Sequence, residues 1–132
     1  MKIAQTVFLA GLLALSLACG GYSKPATTPP AAGTMPTITE LAPANVTHGS
    51  QAFVLTVNGT DFSGAATIYW NGAAETTTSV SPGTQLTTTI PATDVATPGT
   101  ATVTVTNPGT PGGVYGGGTS AETSAPMTFT IN

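Results

Sequence analysis

Along "GTATVTVTN", Ala101, Val103 and Val105 alternate with Thr102, Thr104 and Thr106. A rhythm of two separates a buried face from a wet one only where successive side chains point to opposite sides, which is the geometry of an extended strand. The rhythm recurs. Phe53, Leu55 and Val57 alternate with Val54 and Thr56; Ile68 and Trp70 flank Tyr69; Leu86, Thr88 and Ile90 alternate with Thr87 and Thr89; Met127, Phe129 and Ile131 alternate with Thr128 and Thr130. From Thr37 onward no window carries apolar residues at i, i+3, i+4 and i+7, and threonine, glycine and proline are dense throughout. The pattern predicts an all-β fold.

Short strands separated by Gly, Pro and Asn turns fit a β-sandwich better than a parallel sheet, whose strands need helical crossovers. Asn71-Gly72 is a hairpin-turn pair, "NGTDF" reads as a turn that brings Phe62 back to the apolar side, and Pro91 ends the strand before it. The expected core is Phe53, Leu55, Val57, Phe62, Ile68, Trp70, Leu86, Ile90, Val103, Val105, Phe129 and Ile131. The outward positions are mostly threonine, which suits a pleated surface whether or not anything binds there.

The N-terminus obeys different rules. Met1 and Lys2 precede an apolar segment, Ile3 to Leu17, of about 15 residues, shorter than the roughly 20 that span a bilayer as a helix. With the small residue Ala18 it has the form of a secretory signal peptide over residues 1–18. Cys19, the one cysteine, follows "LSLA" and resembles the lipobox of bacterial lipoproteins, in which that cysteine becomes the first mature residue and carries acyl chains. The resemblance implies lipid attachment at Cys19, an anchor in a bacterial cell envelope and, with Gly20 next, the outer membrane; cleavage to a secreted product is the alternative. Each buried methylene contributes about 0.8 kcal/mol, so two or more chains hold firmly. Residues 19–36 then form the lipidated cysteine and a linker of Pro, Thr, Ala and Gly without the apolar side chains that offset ordering entropy. Gly20 to Pro36 reaches about 50 Å as polyproline and about 23 Å as a coil, which would hold the domain off the membrane.

Residues 37–132 are one domain of ordinary size. Read in order, "PTITELAPANVTHGS", "FVLTVNGTDF", "ATIYWNG", "TQLTTTIPA", "GTATVTVTNPG" and "APMTFTI" resemble the IPT/TIG domain, with Gly49, Gly59, Phe62, Gly72 and Phe129-Thr130-Ile131 as its markers. The resemblance implies an immunoglobulin-like β-sandwich of the E-set type and carries no catalytic residues with it. Members serve as spacers in receptors and adhesins or beside carbohydrate-active enzymes. The departure is "NPGTPGGVYGGGTSAETS", longer and richer in glycine than the usual turn before the last strand.

Charge narrows the function classes. After the signal peptide the one basic residue is Lys24, against Glu40, Asp61, Glu75, Asp94 and Glu122, so nucleic acid, whose binding needs several phosphates neutralised, is excluded as a partner. His48 is the one histidine and stands where the chain bends, which reads as an exposed loop side chain. No EF-hand, zinc-ligand, Walker or Gly-x-Ser-x-Gly spacing occurs, so neither an enzyme nor a cofactor or metal site is expected. Two tyrosines are candidate ligand contacts. Tyr69 should stand out from the sheet among Thr102, Thr104, Thr106, Thr128 and Thr130, and Tyr115 sits in the middle of the glycine-rich loop, within residues 107–124. Either ring could stack on a sugar or dock an envelope protein, or be an ordinary surface tyrosine. The expected role is a non-catalytic protein-interaction or spacer module, with carbohydrate binding or adhesion as the alternative; the oligomeric state stays open, because few charges guard the strand edges.

Overall fold

The structure is a computed structural model that describes residues 30–132. The signal peptide, Cys19 and the first part of the linker lie outside the described residues. The chain runs through β1 (Thr37–Ala42), β2 (Asn45–Val46), β3 (Phe53–Thr60), β4 (Thr67–Trp70), β5 (Ala73–Ala74), β6 (Thr77–Ser81), β7 (Gln85–Ile90), a 3-10 turn (Ala92–Val95), β8 (Gly99–Asn107), β9 (Glu122–Thr123) and β10 (Met127–Ile131). One sheet has the order β1-β3-β7-β6; the other has the order β2-β10-β8-β4-β5, with β9 added to β8. All pairings are antiparallel except β2 with β10. The fold is an all-β sandwich.

The alternation explains the core. On β3, β4, β7, β8 and β10 the alternating apolar residues face inward, Val54 and Tyr69 excepted, and Leu55, Val57, Ile68, Ile90, Val103, Val105 and Phe129 have no solvent exposure. Every expected core residue is buried except Phe53, which is partly buried and packs against the cluster. Trp70 leans on Phe129 with ring centroids 5.1 Å apart, and Phe53 stacks on the same ring at 5.7 Å. Fully burying a large apolar side chain contributes about 1.5–3 kcal/mol, so this aromatic trio is a major stabilising unit. Leu41, Ala66 and Val95 complete the core from positions with no alternating neighbours.

The turn expected at Asn58-Gly59 is not a turn. Both residues lie inside β3, Asn58 opposite Gln85 and Gly59 opposite Ile38, and the chain bends later, at Asp61 with φ 62°. Glycine is needed at 59 because a Cβ there would run into the Thr37 carbonyl and the Phe62 ring. Asn71-Gly72 does form the two-residue hairpin turn, with φ of 49° and 84°, the positive pair that a type I′ turn requires.

The two sheets are stitched where the chain changes layer. After β5 the Thr77 hydroxyl accepts the Ile68 N–H at 2.8 Å and donates to the Glu75 carbonyl at 3.0 Å. A side chain of the smaller sheet thus continues the ladder of the larger one. Thr88, buried on the inner face, donates to the Thr76 carbonyl at 2.9 Å. At the other junction, Asn107 is buried at the end of β8 and binds Thr34, Asp61 and Ser63. The segment before β1 is laid against the domain: Pro36 is fully buried, and Ala31 pairs with Thr119.

Candidate interaction surfaces

Residues paired across neighbouring strands share a face, so the register of the larger sheet assembles its outer surface. Tyr69 lies beside Thr104 on one side and Ala74 on the other; Thr67 faces Thr106, Thr102 faces Thr128, Thr100 faces Thr130, and Thr106 faces Thr123. The threonines expected around Tyr69 are on its face. The ring is half-buried among them, and no Asp, Glu, Lys or Arg occupies a strand position of this surface. Rows of hydroxyls stand about 4.7–4.9 Å apart across strands, each able to donate and accept, and their methyl groups cover the backbone between. Such a surface can meet a neutral hydroxyl-rich ligand or a protein face without stripping water from a charge.

Tyr115 is placed elsewhere. Residues 108–121 form an arm beyond β8: Thr110 pairs with Thr119, and Gly113 and Gly116 exchange backbone hydrogen bonds of 3.1 and 2.9 Å. Val114 and Tyr115 fill the two turn positions and are 97% and 100% exposed. Gly116 and Gly117, at φ 89° and 95°, let the chain reverse there. The two candidate tyrosines are therefore on separate elements, and neither lines a described cavity.

A cavity of about 210 Å³ opens beside Trp70, Asn71, Ala73 and Asp94. Trp70 Nε1 is buried without an acceptor among the described residues, while Asn71 Oδ1 is already engaged by the Thr102 N–H at 2.8 Å. A wider hollow of about 300 Å³ runs along β6 and β7 between Glu75, Thr78, Thr87 and Val54. Sequence reasoning missed both, because each is made by residues brought together from different strands and their connections.

His48 is exposed, as a loop residue should be, and its Nδ1 lies 2.8 Å from the Asn132 carbonyl oxygen while its N–H donates to the same oxygen at 2.7 Å. This bracket ties the end of β10 to the loop after β2. Among the described residues no group of three His, Cys, Asp or Glu side chains stands close enough to hold a metal ion. The outer strands are short or bent: β2 and β5 have two residues each, β1 shifts register between Ile38 and Glu40, and β6 between Ser79 and Ser81. Bulges and short edges discourage strand addition by another chain.

Fold and surfaces define a class: an all-β sandwich that presents one broad uncharged sheet face and one glycine-framed arm. No protein-family model, no curated protein and no solved structure matches the chain, so the surfaces themselves carry the functional argument.

Proposed function

We propose that the chain is an envelope-anchored, non-catalytic lipoprotein, acylated at Cys19, whose immunoglobulin-like domain of the IPT/TIG type serves as a protein-interaction or spacer module. The uncharged threonine face centred on Tyr69 carries this reading, because it is broad, built on regular strands and free of charges that a partner would have to neutralise. The strand orders support the domain type. Immunoglobulin-like sandwiches set strands A, B, E and D in one sheet and C, F and G in the other, and β1-β3-β7-β6 opposite β4-β8-β10 follows that arrangement. A tryptophan on the third major strand, here Trp70 on β4, is a further likeness. The carboxylates stand singly and His48 is held against Asn132, which favours contact over chemistry.

The test is photo-crosslinking from position 104 in native envelope, next to Tyr69, followed by identification of the captured neighbours. A defined envelope protein lost in the Tyr69→Ala variant supports the reading; a protein that stays solitary refutes it. A second reading, binding of neutral glycans at an outer-membrane surface, is favoured by the single aromatic ring set among hydroxyls. It requires sugar binding that Tyr69→Ala abolishes, and a negative result on a broad glycan panel ends it. Intact mass of the mature protein reads the anchor directly.

A further inference from the structure

We infer that the Val114–Tyr115 tip touches the bilayer in which the chain is anchored, so that the sandwich docks on the membrane by its glycine-rich arm. The inference rests on the lipid-anchored reading of Cys19. Its own observation is where the described chain begins. Ala31 pairs with Thr119 in parallel: the Ala31 N–H donates to the Gly118 carbonyl at 3.0 Å, and the Ser120 N–H donates to the Ala31 carbonyl at 2.9 Å. In a parallel pair both strands run the same way. Because the chain before Thr119 comes from Tyr115, Pro30 enters Ala31 from that side as well. The described chain therefore begins beside the base of the arm, on the side of its tip.

The dimensions agree. From Cys19 to Ala31 a coil averages about 19 Å and a polyproline rod extends about 37 Å. From the Thr110–Thr119 pair to the tip, an extended arm of about four residues projects about 13 Å. An average tether thus brings the tip to within reach of the headgroups to which Cys19 would be attached.

The arm's chemistry suits that contact. Residues 108–121 contain no charged side chain, so approach to an anionic surface meets no local repulsion. Near the tip, where water would be lost, Gly113 and Gly116 satisfy each other's N–H and C=O groups, which lowers the cost of leaving water. Tyrosine favours the headgroup level, with its ring toward the hydrocarbon and its hydroxyl in the polar layer. Contact there would turn the opposite end of the sandwich, where the 3-10 turn leads into β8, toward the aqueous compartment.

The experiment uses the mature acylated protein reconstituted in phosphatidylethanolamine–phosphatidylglycerol vesicles. A nitroxide is attached through Tyr115→Cys, through Val114→Cys as a second position, and through Thr97→Cys in the connection at the far end. Since Cys19 is the one native cysteine, its acylation leaves the introduced thiol as the only reactive one. The expected result is that dissolved oxygen relaxes the labels at 114 and 115 several-fold more than a water-soluble nickel chelate does, with the order reversed at 97. Equal aqueous exposure at all three positions overturns the inference. So does a label at 114 or 115 shielded from both reagents and broadened by spin–spin coupling, which would place the tip against a second copy. Intact mass of the same samples separates the two levels. Acyl mass with an aqueous tip removes the docking alone, and absence of acyl mass removes the anchor and the docking together.

Discussion

The Asn107 side-chain amide donates to the Thr34 carbonyl at 2.8 Å, tying the last residue of β8 to the segment that leads into the sandwich. The same nitrogen donates to the Asp61 carbonyl at 2.8 Å, and Oδ1 accepts the Ser63 N–H at 2.9 Å. One buried amide therefore satisfies three backbone groups from two segments that share no strand pairing with each other.

Removing that amide strands its partners. Asn107→Ala should lower stability by about 1–3 kcal/mol, because two part-buried carbonyl bonds and one to an N–H are lost at once. Asn107→Asp should be at least as damaging, since it loses both donated bonds and buries a carboxylate beside two carbonyl oxygens. Urea unfolding measures both, and a change within about 0.5 kcal/mol would refute the hub.

Trp70 combines a large apolar contact with an unsatisfied donor. Trp70→Ala should cost about 3–5 kcal/mol by opening a cavity against Phe129. Trp70→Phe should cost under about 2 kcal/mol, because it keeps a ring on Phe129 and loses an N–H that has no acceptor among the described residues. Thermal melts followed by circular dichroism rank the two, and equal losses would contradict the account.

Gly59→Ala separates a turn from a close approach. In a turn needing positive φ the cost would come from the backbone alone; inside β3 it comes from the collision of a methyl with the Thr37 carbonyl and Phe62. The expected loss is about 1–3 kcal/mol, as for overpacking. Gly59→Ala in a Phe62→Leu background should cost less, and strict additivity of the two would argue against direct contact.

Thr77→Val keeps the shape of the side chain and deletes the hydroxyl that accepts the Ile68 N–H. The expected loss is about 1–3 kcal/mol, the cost of a buried donor left unmade. Faster amide exchange at Ile68, read by NMR, would locate the effect at the junction of the sheets; unchanged exchange would contradict it.

The Tyr69 face should behave differently from these structural sites. Thr102→Glu places a charge on the exposed threonine row opposite Thr128 and should change stability by no more than about 0.5 kcal/mol. It should abolish crosslinking from position 104, since a buried charge in a dry contact is costly. Retained crosslinking would show that the partner meets another surface.

Much of the architecture was legible residue by residue. The strands through Leu55, Trp70, Ile90, Val105 and Phe129 announce themselves because their buried faces repeat every second residue. Tyr69 could be assigned outward among threonines for the same reason, and Asn71-Gly72 could be read as a turn because asparagine followed by glycine tolerates two positive φ angles cheaply. β6 was not legible: "TTSVS" is an exposed edge with almost no apolar side to mark it. Nor was the role of Asn58-Gly59, whose letters favour a turn but whose neighbours across the sheet hold it extended.

What the amino-acid order determined by itself is the period of burial along β3, β4, β7, β8 and β10: that those segments are strands, and which of their faces is apolar. Each of those depends on residues a few positions apart, so local chemistry is sufficient. The tertiary structure decided that Asn107 reaches Thr34 and Asp61, that Thr77 completes a ladder in the opposite sheet, that Val95 closes the core, and that Ala31 runs alongside the arm carrying Tyr115. Those relationships join residues from different elements, and they form only after register and sheet packing bring the groups together, the hydrogen-bonded ones to within 3 Å, a condition that the period of burial does not encode.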